Sequence, residues 1–201
     1  MARHARYDRE TALSKAVDLF WEKGYQGSSM KQIEQALDMR PGSIYATFGS
    51  KDKLFAEALA AYAERTGKDM AEHMSRYDSV IDGLQDYLRT LARNYGTGCQ
   101  APSRACMVVK TLLESSNTHP ELKAQARTIL NTVEASLANL LEQARARGEL
   151  PETTDCPRLA RLIQTQIIGL RSMAERLADP QAMTQLGDDM AAMLEHYRSR
   201  H

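Results

Sequence analysis

The sequence lacks an excess of charge of either sign, and it lacks long apolar segments. Its 201 residues hold 26 Lys and Arg against 26 Asp and Glu, so the formal net charge is zero. This balance excludes a strongly basic nucleic-acid-coating protein, although charge can still be segregated along a chain. Uncharged runs reach ten residues at most, whereas a membrane span needs about 20 apolar residues. The N-terminus has no apolar signal-peptide core, so we expect a cytoplasmic protein without membrane association.

Cysteine and histidine are also scarce. The three cysteines, Cys99, Cys106 and Cys156, are odd in number and form no Cys-x-x-Cys motif, which argues against a disulfide framework and a structural zinc site. No two of the five histidines are spaced i, i+4, as a helical zinc motif requires. A nucleophile elbow, a phosphate-binding loop and an acid pair are absent as well. The sequence therefore predicts no metal, no cofactor and no enzymatic activity.

Proline placement indicates the fold class. All six prolines lie between, or at the starts of, segments with helical apolar periodicity, where they do not interrupt a helix. No alternating apolar pattern predicts a strand. We predict an all-α fold of about nine helices. The first four expected helices begin near Asp8, after Ser28 or Ser29, at Pro41 and after Ser50. Three more cover about 79–95, 104–116 and 120–147, and Thr118 to Glu121 read as a capping box for the last of these. The final two helices follow Asp155 and Asp179.

Two short helices near the N-terminus are the most informative feature. They cover about 29–37 and 41–48, and Asp38 in the turn between them tolerates a left-handed backbone. Each is too short to bury much surface alone. With the first helix they share the apolar positions Phe20, Ile33, Leu37, Ile44 and Phe48. This is a helix-turn-helix arrangement, in which the second short helix enters the DNA major groove.

Two stretches in this region resemble a known family. LFWEKGYQGSSMKQI (19–33) and PGSIYATFGSKDKL (41–54) are similar to the opening and the recognition helix of the TetR family of bacterial repressors. The resemblance implies a helix-turn-helix domain over 1–53 and an effector-binding and dimerisation domain over 54–201. It further implies a one-component transcriptional repressor that binds palindromic double-stranded operator DNA as a homodimer. A small-molecule or electrophilic effector would release the DNA. Asp38 and Arg40 depart from the pattern, which usually has glycine and a small capping residue there.

The resemblance places Tyr45 and Lys51 where relatives grip phosphates, and such contacts position a protein without reading sequence. Ser28 or Ser29 can cap the preceding helix and present its N–H groups to a phosphate. Arg40, Ser43, Ala46 and Thr47 are candidates to face base edges, and Gly42 permits close approach. The full set of predicted DNA-binding residues is Ser28, Ser29, Lys31, Arg40, Pro41, Gly42, Ser43, Tyr45, Ala46, Thr47 and Lys51.

The middle helices are expected to enclose the effector. The candidate lining residues are Tyr62, Tyr87, Leu91, Tyr95, Cys106, Lys110, Leu113, Gln166 and Leu170. Each also suits a helical core, and Gln166 is the most suggestive because it is polar within an apolar run. Cys106 opens a helix near Arg104 and Lys110, surroundings that favour a thiolate. It is therefore either an electrophile or oxidant sensor, with Cys99 as a possible resolving partner, or a buried, inert cysteine.

The last two helices carry apolar stripes suited to a four-helix bundle between two copies of the chain. The predicted dimer residues are Leu159, Leu162, Ile163, Ile167, Met183, Leu186, Met190, Leu194 and Tyr197. The alternative is that these stripes face their own core. A helical adaptor that binds only protein would also explain the long helices, but not the recognition-helix motif. Substituting Tyr45 and Lys51 distinguishes the two, since only a regulator would lose DNA binding.

Overall fold

The computed structural model describes residues 2–96, 105–114, 119–177 and 179–199, and every regular element within these ranges is an α-helix. The all-α prediction is confirmed. In chain order the helices are α1 (Ala2–Lys23), α2 (Met30–Leu37), α3 (Pro41–Phe48), α4 (Lys51–Met74), α5 (Val80–Gly96), α6 (Met107–Glu114), α7 (Pro120–Ala146), α8 (Cys156–Arg176) and α9 (Pro180–Glu195). Within the described ranges, no helix combines the length and apolar character needed to cross a membrane.

Helix ends follow the predicted capping residues in most places. The backbone N–H of Lys53 donates to Ser50 Oγ at 3.1 Å, and Asp155 and Asp179 cap α8 and α9 in the same way. Gly24 ends α1 with a positive φ of 71°. The start of α1 differs from the prediction, because the helix begins at Ala2 and not near Asp8. The Ala and Arg residues before Asp8 favour a helix, and no proline or glycine interrupts them. Thr118, part of a predicted cap for α7, lies outside the described residues.

The chain divides into two compact units, and the first contains residues 1–66 and 106–129. Phe20 lies fully buried in this unit, with its ring edge-to-face against Phe55 at a centroid distance of 4.8 Å. Burial of one such side chain stabilises a fold by about 1.5–3 kcal/mol. The other helices of the unit add buried apolar side chains, which include Ile33, Leu37, Ile44, Phe48, Leu54, Leu59, Met107, Val108 and Leu122. The predicted shared core of α1, α2 and α3 is therefore confirmed.

The second unit contains residues 67–105 and 130–201. Its core is built mainly from α5, α7, α8 and α9, with Leu84, Leu88, Leu137, Leu141 and Ile163 among the fully buried residues. Helices α5 and α9 approach each other closely at Gly187, where an added Cβ would lie 2.4 Å from the Cβ of Ala92. Only glycine fits this contact without displacing a neighbour.

Candidate nucleic-acid interface

The start of α2 and the turn after it have the geometry of a helix-turn-helix. Ser29 caps α2 by a reciprocal capping box: its hydroxyl accepts from the N–H of Gln32 at 3.3 Å, and its own N–H donates to Gln32 Oε1 at 2.8 Å. Asp38 closes the helix in the left-handed conformation, with φ 54° and ψ 46°. It is the one non-glycine residue with positive φ in the described chain. The prediction that Asp38 makes the turn is thus confirmed.

Helix α3 buries one side and exposes the other. Ile44 and Phe48 are buried, whereas Tyr45 keeps 48% of its surface exposed. Arg40 precedes the helix and makes no side-chain capping bond, and Pro41 occupies the first turn, where its missing N–H costs nothing. The remaining predicted positions that are exposed are Arg40, Pro41, Gly42, Ser43 and Ala46, while Thr47 is half-buried. This apolar helix of eight residues thus presents hydroxyl and methyl groups outward, and Arg40 adds a cation just before its first residue.

Ser28 and Ser29, which the sequence left as alternative caps of α2, have different roles in the structure. Ser29 is exposed at the cap of α2, and Lys31 is exposed beside it. Ser28 is fully buried, and its hydroxyl donates to the carbonyl of Gly24 at 2.7 Å. Ser28 is therefore a structural residue of the α1–α2 turn, and its predicted role in DNA contact is corrected on this ground, since a buried hydroxyl bound to backbone cannot reach a phosphate.

Tyr25 joins the α1–α2 turn to α4, a role that the sequence did not single out. Its hydroxyl donates to the Asp52 carboxylate, and burial together with this hydrogen bond raises the pKa of Tyr25 to about 12. The ammonium group of Lys51 donates to the carbonyl of Tyr25 at 2.7 Å and lies 4.2 Å from the centre of its ring. Burial lowers the pKa of Lys51. Lys51, a predicted phosphate contact, is thus half-buried and held in place by Tyr25.

Helix α6 also forms hydrogen bonds with the end of α1 and with the α1–α2 turn. Lys110 Nζ donates to the carbonyls of Trp21 and Glu22, at 2.8 and 3.2 Å, at the C-terminal end of α1. A cation at this end is favoured by the helix dipole. One turn further along α6, Glu114 accepts from the backbone N–H of Tyr25 at 3.2 Å. We call Lys110 and Glu114, with their partners on 21–25, the α6 clasp.

The predicted effector residues divide between the two units. Tyr62, Cys106, Lys110 and Leu113 belong to the first unit, and the remaining five, Tyr87, Leu91, Tyr95, Gln166 and Leu170, belong to the second. Tyr62 is buried with its ring edge-to-face against Trp21, and Leu113 is 69% exposed. The Cys106 thiol is free and half-buried just before α6, while the Lys110 ammonium is directed to α1.

In the second unit Tyr87 and Leu91 are half-buried and Leu170 is fully buried in an apolar cluster. Gln166 is buried, and its Nε2 contacts the sulfur of Met193 at 3.4 Å. Its Oε1 has no hydrogen-bond partner among the described residues. The side chain of Tyr95, as well as Cys99 and Arg104, lies outside the described residues. Gln166 therefore remains the most suggestive of the effector candidates, because an unsatisfied buried amide oxygen can accept a hydrogen bond.

The two predicted dimer stripes contain residues of two kinds. Leu159, Ile163, Met183 and Leu194 are at most 2% exposed within their own chain, so they pack in the protomer core and leave no surface for a partner. The prediction is corrected for these four. The accessible members are half-buried or exposed, namely Leu162, Ile167, Leu186, Met190 and Tyr197. Met193, on the same helix as Met190, is 45% exposed.

Family models match both parts of the chain. Residues 12–58 match the model described as bacterial regulatory proteins, tetR family. Residues 83–190 match the tetracyclin repressor-like C-terminal domain. Together these matches cover the helix-turn-helix and most of the second unit.

Individual relatives agree with the family models. The HTH-type transcriptional repressor ComR of Escherichia coli (strain K12) is 29% identical over 181 residues, which cover 90% of this chain and 85% of ComR. The TetR-family regulator CifR, solved as a cysteine mutant with a 26-bp operator duplex, is 28% identical with a TM-score of 0.78, over 91% of this chain and 94% of that one. A regulator from Chloroflexus aurantiacus J-10-FL shares the fold, with a TM-score of 0.83 at 24% identity over 98% of each chain. The chain therefore belongs to the TetR family of bacterial regulatory proteins and is a DNA-binding transcriptional regulator.

Proposed function

We propose that the chain is a one-component transcriptional repressor that binds palindromic operator DNA as a homodimer and releases it when an effector binds. Residues 1–53 contact DNA, and residues 54–201 bind the effector and form the dimer. The protein acts in the cytoplasm and catalyses no reaction, in line with relatives that are transcriptional regulators. Repression, rather than activation, is supported by the similarity to ComR, which is named as a repressor.

The observation that carries the proposal is the outward surface of α3. Helix α3 is anchored by Ile44 and Phe48, and it exposes Ser43 and Tyr45. Neither of these two side chains makes a hydrogen bond to another described residue. A short helix whose polar groups have no role in the fold is suited to bind a polar partner. Tyr45 and Ser29 supply groups for phosphates, and Arg40 supplies the cation best suited to guanine or to a phosphate.

A homodimer follows from the need for two half-sites. Two recognition helices of a dimer must lie about 34–36 Å apart to enter successive major grooves. The surface that we assign to the partner combines accessible residues of α8 and α9 with Tyr197, which follows α9. The helical residues are Leu162, Ile167, Leu186, Met190 and Met193. Light scattering at micromolar concentration is expected to give twice the chain mass. A monomer mass would refute the dimer.

The α6 clasp supplies a physical route from effector to DNA. It binds the carbonyls that end α1 and the N–H of Tyr25, and Tyr25 holds Lys51 at the start of α4. An effector that binds better to a conformation with α6 displaced loosens this turn and lowers DNA affinity by the coupling free energy. Cys106, four residues before Lys110, makes an electrophile one candidate effector. If Cys106→Ser releases DNA normally with aldehydes, quinones and hypochlorite, that candidate is rejected.

The proposed function is tested by selecting genomic DNA fragments with the purified protein and sequencing them. We expect enrichment of a sequence with two-fold symmetry, and we expect a variant carrying both Ser43→Ala and Tyr45→Phe to lose this enrichment while its helix content is unchanged. A wild-type protein that enriches no sequence would contradict the proposal. A double variant that enriches the same sequence equally well would show that α3 is not the contacting element.

A further inference from the structure

A cleft of about 640 Å³ lies between α1, the α2–α3 turn and α3. Its walls include Thr11 and Lys15 on α1, Arg40 before α3, and Ser43 and Thr47 on α3. Thr11 and Lys15 are spaced i, i+4, so they lie on one face of α1. Both are exposed. Because Ser43 and Thr47 also belong to the proposed DNA surface, the cleft is continuous with that surface.

The position of the cleft follows from the helix geometry of α3. Successive residues turn by about 100° around a helix, so Tyr45 lies about 160–200° away from both Ser43 and Thr47. A helix with its side chains is about 10–12 Å across, and the major groove is about 12 Å wide. Both phosphate walls of the groove therefore pass close to an inserted recognition helix. Tyr45 faces one wall, and the side of α3 that carries Ser43 and Thr47, with the cleft beside it, faces the other.

The charges around the cleft suit an anion. Arg9 is already engaged, since its guanidinium pairs with Glu57 at 2.6 Å and lies 5.0 Å from the centre of the Phe48 ring. Lys15 and Arg40 make no ion pair with another residue in the described part of the chain. Asp38 is the acidic residue lining the cleft. With Arg9 neutralised by Glu57, the lining carries two cations against one anion.

We propose that this cleft receives the DNA backbone of the strand opposite to the one contacted by Tyr45, and that Lys15 binds a phosphate there. This inference rests on the proposed DNA-binding role and adds α1 to the interface. Lys15 supplies an ammonium group on a long side chain, and Thr11 adds a hydroxyl donor one turn away. Such a contact reads no base. It fixes the second edge of α3 in the groove, so that α3 is held from both sides.

The test uses Lys15→Gln and a matched control, Lys23→Gln, which removes the same charge from the same helix outside the cleft. Binding of a fluorescent duplex of arbitrary sequence is measured as a function of salt. Each phosphate contact contributes about 0.9 to the slope of log affinity against log salt. We expect Lys15→Gln to lower this slope by about 0.9 and the affinity by about fivefold. Lys23→Gln leaves the slope unchanged.

Three further outcomes distinguish a failure of this inference from a failure of the proposed DNA-binding function. If wild-type protein shows no salt-dependent DNA binding, the DNA-binding role and the inference both fail. If wild-type protein binds but Lys15→Gln and Lys23→Gln have the same slope, the cleft does not hold a phosphate and only the inference fails. Lys15→Arg is expected to restore the wild-type slope, and unfolding curves of all variants check that the fold is intact. A failed rescue in a folded protein would also overturn the phosphate contact.

Discussion

The α6 clasp makes a quantitative prediction about stability. Lys110→Met keeps the length and most of the volume of the side chain but removes its ammonium group. Two hydrogen bonds to the carbonyls of Trp21 and Glu22 are lost. A hydrogen bond from a charged donor is worth about 1.5–3 kcal/mol when buried, and Lys110 is only half-buried. We therefore expect the free energy of unfolding to fall by about 1–2 kcal/mol.

The assay is urea unfolding followed by circular dichroism. With a slope of about 2 kcal/mol per molar urea, the midpoint is expected to fall by about 0.5–1 M. Lys31→Met is the matched control, because Lys31 is exposed on α2 and its side chain makes no hydrogen bond or ion pair within the described residues. We expect this control to unfold as the wild type does and to bind DNA more weakly. Equal midpoints for Lys110→Met and Lys31→Met would refute the idea that the clasp holds α1 and α6 together.

Two other predictions concern packing and pH. Gly187→Ala places a methyl group 2.4 Å from the Cβ of Ala92, so we expect a loss of about 1–3 kcal/mol in unfolding free energy, measured by urea denaturation; an unchanged midpoint would contradict the close packing of α5 and α9. The pKa of Tyr25 is raised from 10.0 to about 12 in the folded state. The protonated Tyr25 hydroxyl therefore contributes fully to the free energy of unfolding below pH 10, and this contribution is lost as pH rises through about 12. The stability difference between wild type and Tyr25→Phe should shrink over this range, and a constant difference would contradict the assignment.

The helix-turn-helix could be predicted from the sequence because its determinants are local. Apolar spacing fixed which sides of α2 and α3 are buried, and Asp38 tolerates the left-handed turn that joins them. The choice between Ser28 and Ser29 could not be made from the sequence. Both are small, adjacent and able to cap, and the choice depends on the carbonyl of Gly24 that accepts from Ser28.

The α6 clasp could not be predicted, because its partners are distant in sequence. Lys110 and Trp21 are separated by 89 positions, and no periodicity on α6 indicates where an ammonium group reaches. Four residues of the dimer stripes were wrongly predicted for a different reason. Helix α8 is apolar over a wide arc, so pattern alone does not tell Leu159, which is buried in its own core, from Leu162, which is half-exposed.

The most direct test of the account is the affinity of Tyr45→Phe for the selected operator, measured by fluorescence anisotropy. Tyr45 is 48% exposed on α3, so loss of its hydroxyl should leave the unfolding free energy unchanged. If α3 enters the major groove and Tyr45 binds a phosphate, the affinity should fall by about fivefold, the equivalent of one hydrogen bond of about 1 kcal/mol. Operator affinity equal to that of the wild type, in a variant of equal stability, would contradict the claim that Tyr45 on α3 grips the DNA.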